Sequence, residues 1–410
     1  MESGGDQIAP RRFEYKTRDS YKFWTIELHR TEHIVRFGPI GSRGQLRSML
    51  FDSCEEARAQ YDRRVTAKLS NGYHEVKKSL REEKSAAQWK QEWLPHLPFM
   101  KLISKDVFDI DNYMVYADWL IDQQDPLGEF MHIQIALADP KLELYRRPEL
   151  EREAGLIQSN HCRHWFRELA PFCFSLANNR RAVAGYKFHL GLLSELEIDI
   201  LTFGLADGLR QSPYCQLLTR LSINEIADGI SNTDSDSENG DENENGDEHG
   251  DEHGDTSNSD ATALSNLIGA PLFNLRQLSV GRPPAPFDRP NAVHLAEVIA
   301  SAPQLQAVNI CAVNFDLATI VNHQVPNVTS WHQHYVNDFE LSVLLQSPLV
   351  RQLKIFGLPD NRLTDEGGRL LASCKEFHSL SSLFLSTDGL SSDVRHEIYA
   401  SGLPVILDSI

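Results

Sequence analysis

No apolar run in this 410-residue chain approaches the ~20 residues that a membrane-spanning helix needs. The first residues, Met1 to Asp6, lack the basic and apolar regions of a secretory signal peptide. The six cysteines are scattered and none forms a Cys-x-x-Cys pair, which argues against a zinc knuckle or a disulfide framework. These absences predict a cytoplasmic protein with reduced, mostly buried thiols and no membrane association.

The motifs of common catalytic sites are also missing. The chain has no Gly-x-Ser-x-Gly, no phosphate-binding P-loop, no His-Glu-x-x-His and no dinucleotide fingerprint. Several carboxylates lie close together between residues 109 and 122, but no basic or nucleophilic residue stands at a useful spacing from them. We therefore predict a protein that is not an enzyme, with no cofactor and no small-molecule substrate.

Positive charge is absent from one segment of the chain. Residues 231–260 carry 12 Asp or Glu and no Lys or Arg, so they account for most of the net charge of −18. Because this acidic segment has no apolar residue to bury, we expect it to be disordered. Its tandem Gly-Asp-Glu-His repeats place His249 and His253 beside carboxylates, and both groups are competent metal ligands. A solvated charge run is the favoured interpretation, so no metal site is predicted.

The N-terminal region has the opposite charge, with 17 Lys or Arg against 11 Asp or Glu in residues 11–84. Residues 24–28 alternate as in a half-buried strand, and three glycines follow between residues 38 and 44, where the chain must turn. Residues 53–56 have the pattern of a helix start with a capping box. The helix that follows carries an apolar stripe at i, i+4 spacing, namely Ala57, Tyr61, Val65 and Leu69. This order predicts a small antiparallel sheet with one helix packed on it.

This N-terminal head resembles a WGR domain over residues 11–78. The matching residues are Phe37-Gly38, Ile40-Gly41, Gly44-Gln45, the helix through Lys68, and Gly72-Tyr73. In that family the turn region can lie against nucleic-acid ends, where the aromatic ring stacks on a sugar and basic side chains meet phosphate. The resemblance implies such a contact surface here, although Pro39 replaces the family's Arg and supplies neither a charge nor a backbone N–H.

The candidate contact residues of the head combine this resemblance with the basic side chains near the turn. They are Arg36, Phe37, Gly38, Arg43, Gln45 and Arg47. Phosphate contacts dominate affinity in nucleic-acid interfaces, so the three arginines carry the prediction. The alternative is that Phe37 and the glycines only build the sheet while the charges are solvated.

The segment from Asp109 to Asp139 predicts two short helices. The apolar stripe of the first consists of Tyr113, Ala117, Leu120 and Ile121. Asp125-Pro126 ends it, and Gly128 starts the second helix. The strings Tyr116-Ala117-Asp118-Trp119-Leu120 and Asp125-Pro126-Leu127-Gly128-Glu129-Phe130, followed by Gln134, resemble a segment that accompanies leucine-rich repeats in bacteria. The resemblance implies neighbouring repeats rather than catalysis.

The rest of the chain repeats the pattern Leu-x-x-Leu-x-Leu, with Ile or Val allowed. The copies are Leu193-Leu196-Ile198, Leu218-Leu221-Ile223, Leu275-Leu278-Val280, Leu305-Val308-Ile310, Val350-Leu353-Ile355 and Leu380-Leu383-Leu385, with a degenerate copy at Val328-Trp331. Once the acidic segment is left out, their spacing is close to the period of about 20–29 residues that is typical of leucine-rich repeats. The pattern resembles that family and predicts about six to eight short strands in an α/β solenoid. Helix-like pieces such as residues 363–372 lie between them.

Period 2 in a strand sends the residues between the apolar positions to the opposite, outward face. From this face we select a partner-binding surface of six residues, Arg220, Gln277, Asn309, His332, Gln352 and Lys354. Its mixed charge favours a protein partner over a phosphate backbone. His332 and His334 share a strand face near His323, but exposed polar residues are the favoured interpretation rather than a binding site.

The predicted organisation is a multidomain α/β protein. It has a disordered tail (1–10), a WGR-like head (11–84), a helical linker region (85–180) and a leucine-rich-repeat-like solenoid (181–410) that the acidic segment 231–260 interrupts. We expect a non-catalytic binding or scaffold protein whose solenoid takes a protein partner and whose head is a docking module. The alternative is a nucleic-acid-associated regulatory or repair accessory protein that binds DNA through the head.

Overall fold

The computed structural model describes residues 7–16, 21–39, 45–76, 86–174, 182–227, 229–230, 262–283 and 289–407. The chain divides into two units. The first comprises Met1–Glu83 and Ala227–Ala263, and the second comprises Lys84–Ile226 and Leu264–Ile410. The helical linker and the repeats, which sequence analysis separates at residue 180, therefore belong to one unit. Residues 231–260 lie outside the described residues, so their disorder stays a prediction.

The first unit is built on an antiparallel sheet. Its strands are β1 (Gln7–Lys16), β2 (Tyr21–His29), β3 (Glu32–Pro39), β4 (Gln45–Leu50) and β5 (His74–Val76). They lie side by side in the order β5-β1-β2-β3-β4. Because β1 begins at Gln7, residues 7–10 form part of the sheet, and their assignment to a disordered tail was wrong. Arg11 of β1 donates two hydrogen bonds to Glu75 of β5, at 2.7 and 2.8 Å, and so ties the two strands together.

One helix, α1 (Cys54–Ser70), packs on this sheet. Ser53 caps it, since its side chain accepts a hydrogen bond from the Glu56 backbone N–H. Three residues of the predicted apolar stripe are buried, and only Leu69 is exposed. The buried stripe packs against the side chains of Phe13, Trp24, Ile26, Leu28, Val35, Met49 and Phe51. Helix and sheet therefore share one apolar core, as the alternation in the sequence predicted.

In its described residues, the second unit begins with six α-helices. They are α2 (Ala86–Trp93), α3 (Leu97–Ile103), α4 (Ile110–Asp122), α5 (Pro126–Ala138), α6 (Arg147–Trp165) and α7 (Ala170–Phe174). The predicted helix pair is α4 and α5. Asp125 caps α5 and Pro126 occupies its first turn, so α5 begins before the predicted start at Gly128. Ile121 of the predicted stripe is exposed, whereas Tyr116 is buried, because the buried face of α4 lies on the side of Tyr116.

A buried polar cluster connects α3 and α4 to the turn that follows α6. The Arg167 guanidinium donates to His96 Nε2 at 2.9 Å, and His96 Nδ1 lies 2.7 Å from the Tyr116 hydroxyl. Because a guanidinium can only donate, Nε2 is the acceptor and we assign the imidazole proton to Nδ1. The Trp93 indole N–H donates to Glu168 at 2.8 Å beside this group. Burial, together with the nearby Arg167 charge, lowers the pKa of His96 to about 4.

We expect the second unit to lose stability as the pH falls from 6.5 toward 4. In the unfolded chain His96 has its ordinary pKa of 6.5 and takes up a proton in this range, whereas the folded-state pKa of about 4 keeps it neutral. The unfolded state then binds more protons, so the contribution of His96 is complete above pH 6.5 and is lost as the pH falls through 4. Urea unfolding at pH 7 and pH 4.5 should show a smaller pH-dependent loss in His96→Gln than in wild type. The exposed-site variant His378→Gln should match wild type, and an unchanged loss in His96→Gln would contradict the assignment.

Ten further strands follow in the part of the chain that the structure describes. They are β6 (Val183–His189), β7 (Leu192–Leu201), β8 (Arg220–Ile226), β9 (Gly229–Ile230), β10 (Gln277–Val280), β11 (Ala307–Ile310), β12 (Ser330–Gln333), β13 (Ile355–Leu358), β14 (Ser382–Leu385) and β15 (Val405–Leu407). All except β9 form one mixed sheet that follows chain order from β6 to β15. Strands β6 and β7 are antiparallel, and the other neighbours in this sheet are parallel.

The register of this second sheet stacks one residue of each parallel strand on the next. The stacked residues are Leu196, Leu221, Leu278, Val308, Trp331, Phe356, Leu383 and Val405. Six of these residues were predicted as middle positions of the pattern, and Val405 lies beyond the last predicted copy. Phe356 was not predicted. The copy Val350-Leu353-Ile355 was three residues out of phase, because Phe356 fills the place where the pattern allowed only Leu, Ile or Val. An aromatic ring satisfies the same buried position as an aliphatic side chain.

Short helices connect the parallel strands. They are α8 (Phe203–Gln211), α9 (Leu295–Ala300), α10 (Leu317–Thr319), α11 (Asp338–Gln346), α12 (Asp365–Ser373) and α13 (Ser392–Ala400). Residues 363–372 were predicted to be helical, and α12 lies there. Asn337 and Glu340 form a reciprocal capping box at α11, which fixes where that helix begins.

Strand β9 lies in the first unit, although it follows β8 by two residues. It pairs with the edge strand β4 in parallel, with Ser48 opposite Gly229 and Met49 opposite Ile230. The residues on both sides of the acidic segment were predicted to belong to the repeats, and the structure corrects this for residues 227, 229–230 and 262–263. The sequence of β9 consists of one Gly and one Ile, which is too short a pattern to predict a strand. Only the edge position of β4 could have suggested that another strand pairs with it.

Candidate functional site

The predicted contact region of the head lies at the ends of β3 and β4. Phe37 pairs with Trp24 on one side and with Gln45 on the other. Paired residues point to the same face, so Phe37 lies on the face that α1 covers, half-buried against the core. Gly38 follows it in β3 and is also half-buried. Arg43 lies outside the described residues, and only the backbone of Gln45 is described.

Two cations lie beside aromatic rings on this face. Arg47 is exposed, and its guanidinium carbon is 5.4 Å from the centre of the Phe37 ring. Lys68, in the last turn of α1, places Nζ 5.6 Å from the Trp24 ring and 5.5 Å from the Tyr73 ring. Since Trp24 is the direct neighbour of Phe37 in the sheet, the two pairs are adjacent. We call Phe37, Arg47, Lys68 and Tyr73 the head strip.

Lys68 and Tyr73 were placed in the head by sequence analysis but were not predicted as contacts. Gly72 explains how they come together, because its φ of +82° turns the chain back toward the sheet directly after α1. The Tyr73 ring then lies 5.3 Å from the Tyr15 ring, and a Cβ on Gly72 would crowd Tyr15. The signal in the sequence was the Gly-Tyr pair after a helix that carries a lysine in its last turn.

Arg36 was predicted as an exposed phosphate contact, and this was wrong. Adjacent strand residues point to opposite faces, so Arg36 points away from Phe37, Arg47 and α1. It is 5% exposed, like its cross-strand partner Thr25. The prediction took positive charge as a sign of exposure, whereas the alternation that buries residues 24, 26 and 28 already placed Arg36 on the other face.

The second candidate surface is the outward face of the second sheet. Arg220 of β8 pairs with Gln277 of β10, and Asn309 of β11 pairs with His332 of β12. All four are partly or fully exposed and alternate with the buried stack, and their role as a partner-binding surface stays a prediction. Glu195 lies 3.7 Å from Arg220, and this end of the face is therefore mixed in charge.

An aromatic pair lies farther along the same face. The rings of His332 and Phe384 are 5.8 Å apart, with Gly357 of β13 between their strands. A Cβ at Gly357 would clash with the His332 ring, so glycine is what lets this ring lie flat over the sheet. This part of the face is apolar and ring-lined rather than charged.

Gln352 and Lys354 were predicted on the outward face, and the structure places them before β13 instead. The Gln352 side-chain amide donates to the carbonyls of Val325 and Val328, at 2.8 and 2.9 Å, and so fastens one loop to the next. Lys354 is exposed and directly precedes the first residue of β13. Both errors follow from the phase error at Phe356, because a shift of three residues exchanges the two faces of a strand.

The histidines that were considered as metal ligands are not brought together in the described part of the chain. There, no three His, Cys, Asp or Glu side chains converge as a metal site. His334 instead pairs with Asp360, at 3.1 Å. The side chain of His323, and His249 with His253, lie outside the described residues. Within the same described ranges, no helix has the length and apolar character to cross a membrane.

Comparison with known families identifies the head. Residues 10–80 match the WGR domain family, which confirms the resemblance drawn from the sequence. The uncharacterized protein YfeS of Escherichia coli strain K12 is 32% identical over 65 residues, which is 16% of this chain. The aligned part spans 27% of the length of YfeS, well under two thirds of that relative. The head strip and the turn region both lie inside the WGR match.

One solved structure aligns along nearly the whole chain. It is a Bacteroides fragilis protein determined by the Northeast Structural Genomics Consortium, with 16% identity and coverage of 97% of this chain and 95% of that one. The TM-score is 0.31, too low for any argument about fold or function.

Proposed function

We propose that this protein binds nucleic acid through its WGR domain. The observation that carries the proposal is the head strip, in which Arg47 and Lys68 stand beside the rings of Phe37 and Tyr73. WGR domains often bind nucleic acid, and this strip combines the two elements that such binding uses. Cations meet phosphates, while an aromatic side chain that is only half-buried offers a stacking surface to a sugar or base.

The number of phosphate contacts in this proposal is small. Pro39 carries no charge where the family has Arg, and Arg36 points to the other face of the sheet. Arg47 and Lys68 therefore supply the contacts among the described residues of the strip. The excess of basic residues in the head adds a general attraction that salt screens.

The proposal is tested with the full chain and fluorescently labelled DNA. We expect nicked or open-ended duplex to bind more tightly than a covalently closed circle of the same sequence, since a ring that stacks on a sugar needs an exposed end. Fluorescence anisotropy at several salt concentrations measures both affinity and salt dependence. The absence of binding to any of these DNAs at low salt would contradict the proposal.

We also propose that the second unit is a leucine-rich-repeat-like solenoid whose outward face binds a protein, with the helix pair α4–α5 as its repeat-companion segment. The support is the unbroken stack of short strands in chain order, which leaves one side chain in two facing outward. The mixed charge near Arg220 and the ring pair of His332 and Phe384 suit a polypeptide better than a phosphate backbone. In this role the protein is a non-catalytic scaffold.

A photo-crosslinking residue in place of Gln277 tests the second proposal. We expect it to form one dominant crosslinked product in lysate of the source cells, because Gln277 is exposed on the outward face. The same residue in place of Gln346, exposed at the end of α11, is the matched control. Equal crosslinking at both positions, or none at Gln277, would count against a partner at this face.

A further inference from the structure

Two arginines converge on one tyrosine ring at the carboxyl ends of the parallel strands. Tyr335 follows β12, Arg362 follows β13, and Arg289 lies between β10 and α9. The guanidinium carbon of Arg289 is 4.9 Å from the centre of the Tyr335 ring, and that of Arg362 is 5.6 Å away. Because parallel strands end at the same edge of a sheet, residues far apart in sequence meet here.

Backbone hydrogen bonds hold these loops against each other. The Arg362 N–H donates to the Val336 carbonyl at 2.8 Å, next to Tyr335. The Val313 N–H donates to the Pro290 carbonyl at 3.0 Å, next to Arg289, and Asn291 forms a bridge with Val313. These hydrogen bonds therefore hold the backbone at or next to each arginine against the edge of the sheet.

The backbone at this edge is held in an unfavourable conformation. Tyr335 has a φ of 59° and Asp360 a φ of 48°, both in the left-handed region that bulky residues rarely adopt. Such conformations are costly and persist where the surrounding structure requires them. Asp360, the nearby carboxylate, is 3.1 Å from His334 Nδ1 and so has a partner of its own.

The two guanidinium groups lack an anionic partner in the described part of the chain. No described carboxylate forms an ion pair with Arg289 or Arg362. Arg289 Nε is buried and has no hydrogen-bond acceptor. A buried cationic donor is costly without a partner, so this edge has the charge and the donor for an anion.

We propose that Arg289, Tyr335 and Arg362 form a binding site for a phosphate group, either inorganic phosphate or a phosphate monoester. Two guanidinium groups without an ion-pair partner among the described residues attract a phosphate group, which carries a charge of about −1.5 to −2 near neutral pH. Two guanidinium groups, with five N–H donors each, supply enough donors for its peripheral oxygens. The site lies in the second unit and does not depend on the nucleic-acid contacts of the head.

Isothermal titration of the full chain at constant ionic strength tests this site. Inorganic phosphate and O-phosphoserine are the two probes, and acetate is the monoanionic control. We expect saturable binding of at least one phosphate probe, at least tenfold tighter than acetate, and a loss of tenfold or more in Arg289→Gln/Arg362→Gln. Binding of phosphoserine alone would assign the site to a monoester, and binding of both probes would assign it to the phosphate group itself.

Arg351→Gln is the matched control, because Arg351 is exposed and already pairs with Glu376 at 2.7 Å. It should bind phosphate as wild type does. If circular dichroism shows that the double variant is unfolded, Arg362→Gln alone, at an exposed position, should still weaken binding severalfold. Unchanged binding in the arginine variants, or no binding by wild type, would overturn the proposal. DNA binding by the same variants should be unchanged, so this site and the head strip are tested separately.

Discussion

Replacing Arg47 and Lys68 together with glutamine is expected to weaken binding of the full chain to open-ended duplex DNA by at least tenfold. Both cations lie beside aromatic rings on one face of the WGR domain, where each is placed to meet a phosphate. Loss of two phosphate contacts should also reduce the slope of log affinity against log salt by about 1.8, since each contact contributes about 0.9. Fluorescence anisotropy between 50 and 200 mM salt, roughly the range over which such contacts act, measures both changes.

The control for this result is Arg58→Gln/Arg63→Gln, which removes the same charge from exposed positions of α1 outside the head strip. It should weaken binding less than the strip variant. An equal loss in both variants would show a general effect of net charge rather than a local interface. Phe37→Leu retains most of the apolar volume packed against the core and should also weaken binding, because the ring is lost.

Replacing Trp331 with alanine is expected to lower the free energy of unfolding of the second unit by about 3–5 kcal/mol. Trp331 is fully buried, and it stands in the stack between Val308 and Phe356. Truncation would leave a cavity in the middle of a sheet in which each strand is supported only by its neighbours. Native domains are stable by only ~5–15 kcal/mol, so a loss of this size should be evident.

Urea unfolding followed by tryptophan fluorescence measures this change, because five of the six tryptophans lie in the second unit. Phe339→Ala is the matched control; Phe339 is 75% exposed, and the variant should stay within about 0.5 kcal/mol of wild type. Trp331→Phe should cost less than half as much as Trp331→Ala, since a ring is kept and a buried N–H without an acceptor is removed. A loss below about 1 kcal/mol in Trp331→Ala would contradict a supporting role for the stack.

The parts of the fold that the sequence predicted depend on local periodicity. Alternation at residues 24–28 and the stripe beginning at Ala57 were enough to predict the sheet and helix of the head, because each follows from which residues must avoid water. The repeat pattern likewise predicted which residues stack from one strand to the next. The pattern failed at Phe356, because it allowed only Leu, Ile or Val at that position. The resulting phase error led to the wrong predicted positions for Gln352 and Lys354.

The candidate sites were predicted less well than the fold. Arg36 was counted as a contact because it is charged, but its strand position places it on the face away from Phe37. Lys68 was not predicted as a contact. It lies beside the Tyr73 ring only because the turn at Gly72 brings Tyr73 back toward the sheet, and the sequence pattern does not show that turn's geometry. The pairing of β9 with β4 had no recognisable pattern in two residues. Each case depends on a neighbour that only the folded chain supplies.

The sequence by itself determined the WGR head and the phase of most strands. It could do so because the period of a strand or helix relates each residue to others close by in the chain. Only the tertiary structure decided which cations meet which rings, as Arg47 meets Phe37 and both Arg289 and Arg362 meet Tyr335. These contacts join residues from separate elements. Their geometry depends on the strand register and on the loops, and no local sequence pattern encodes either.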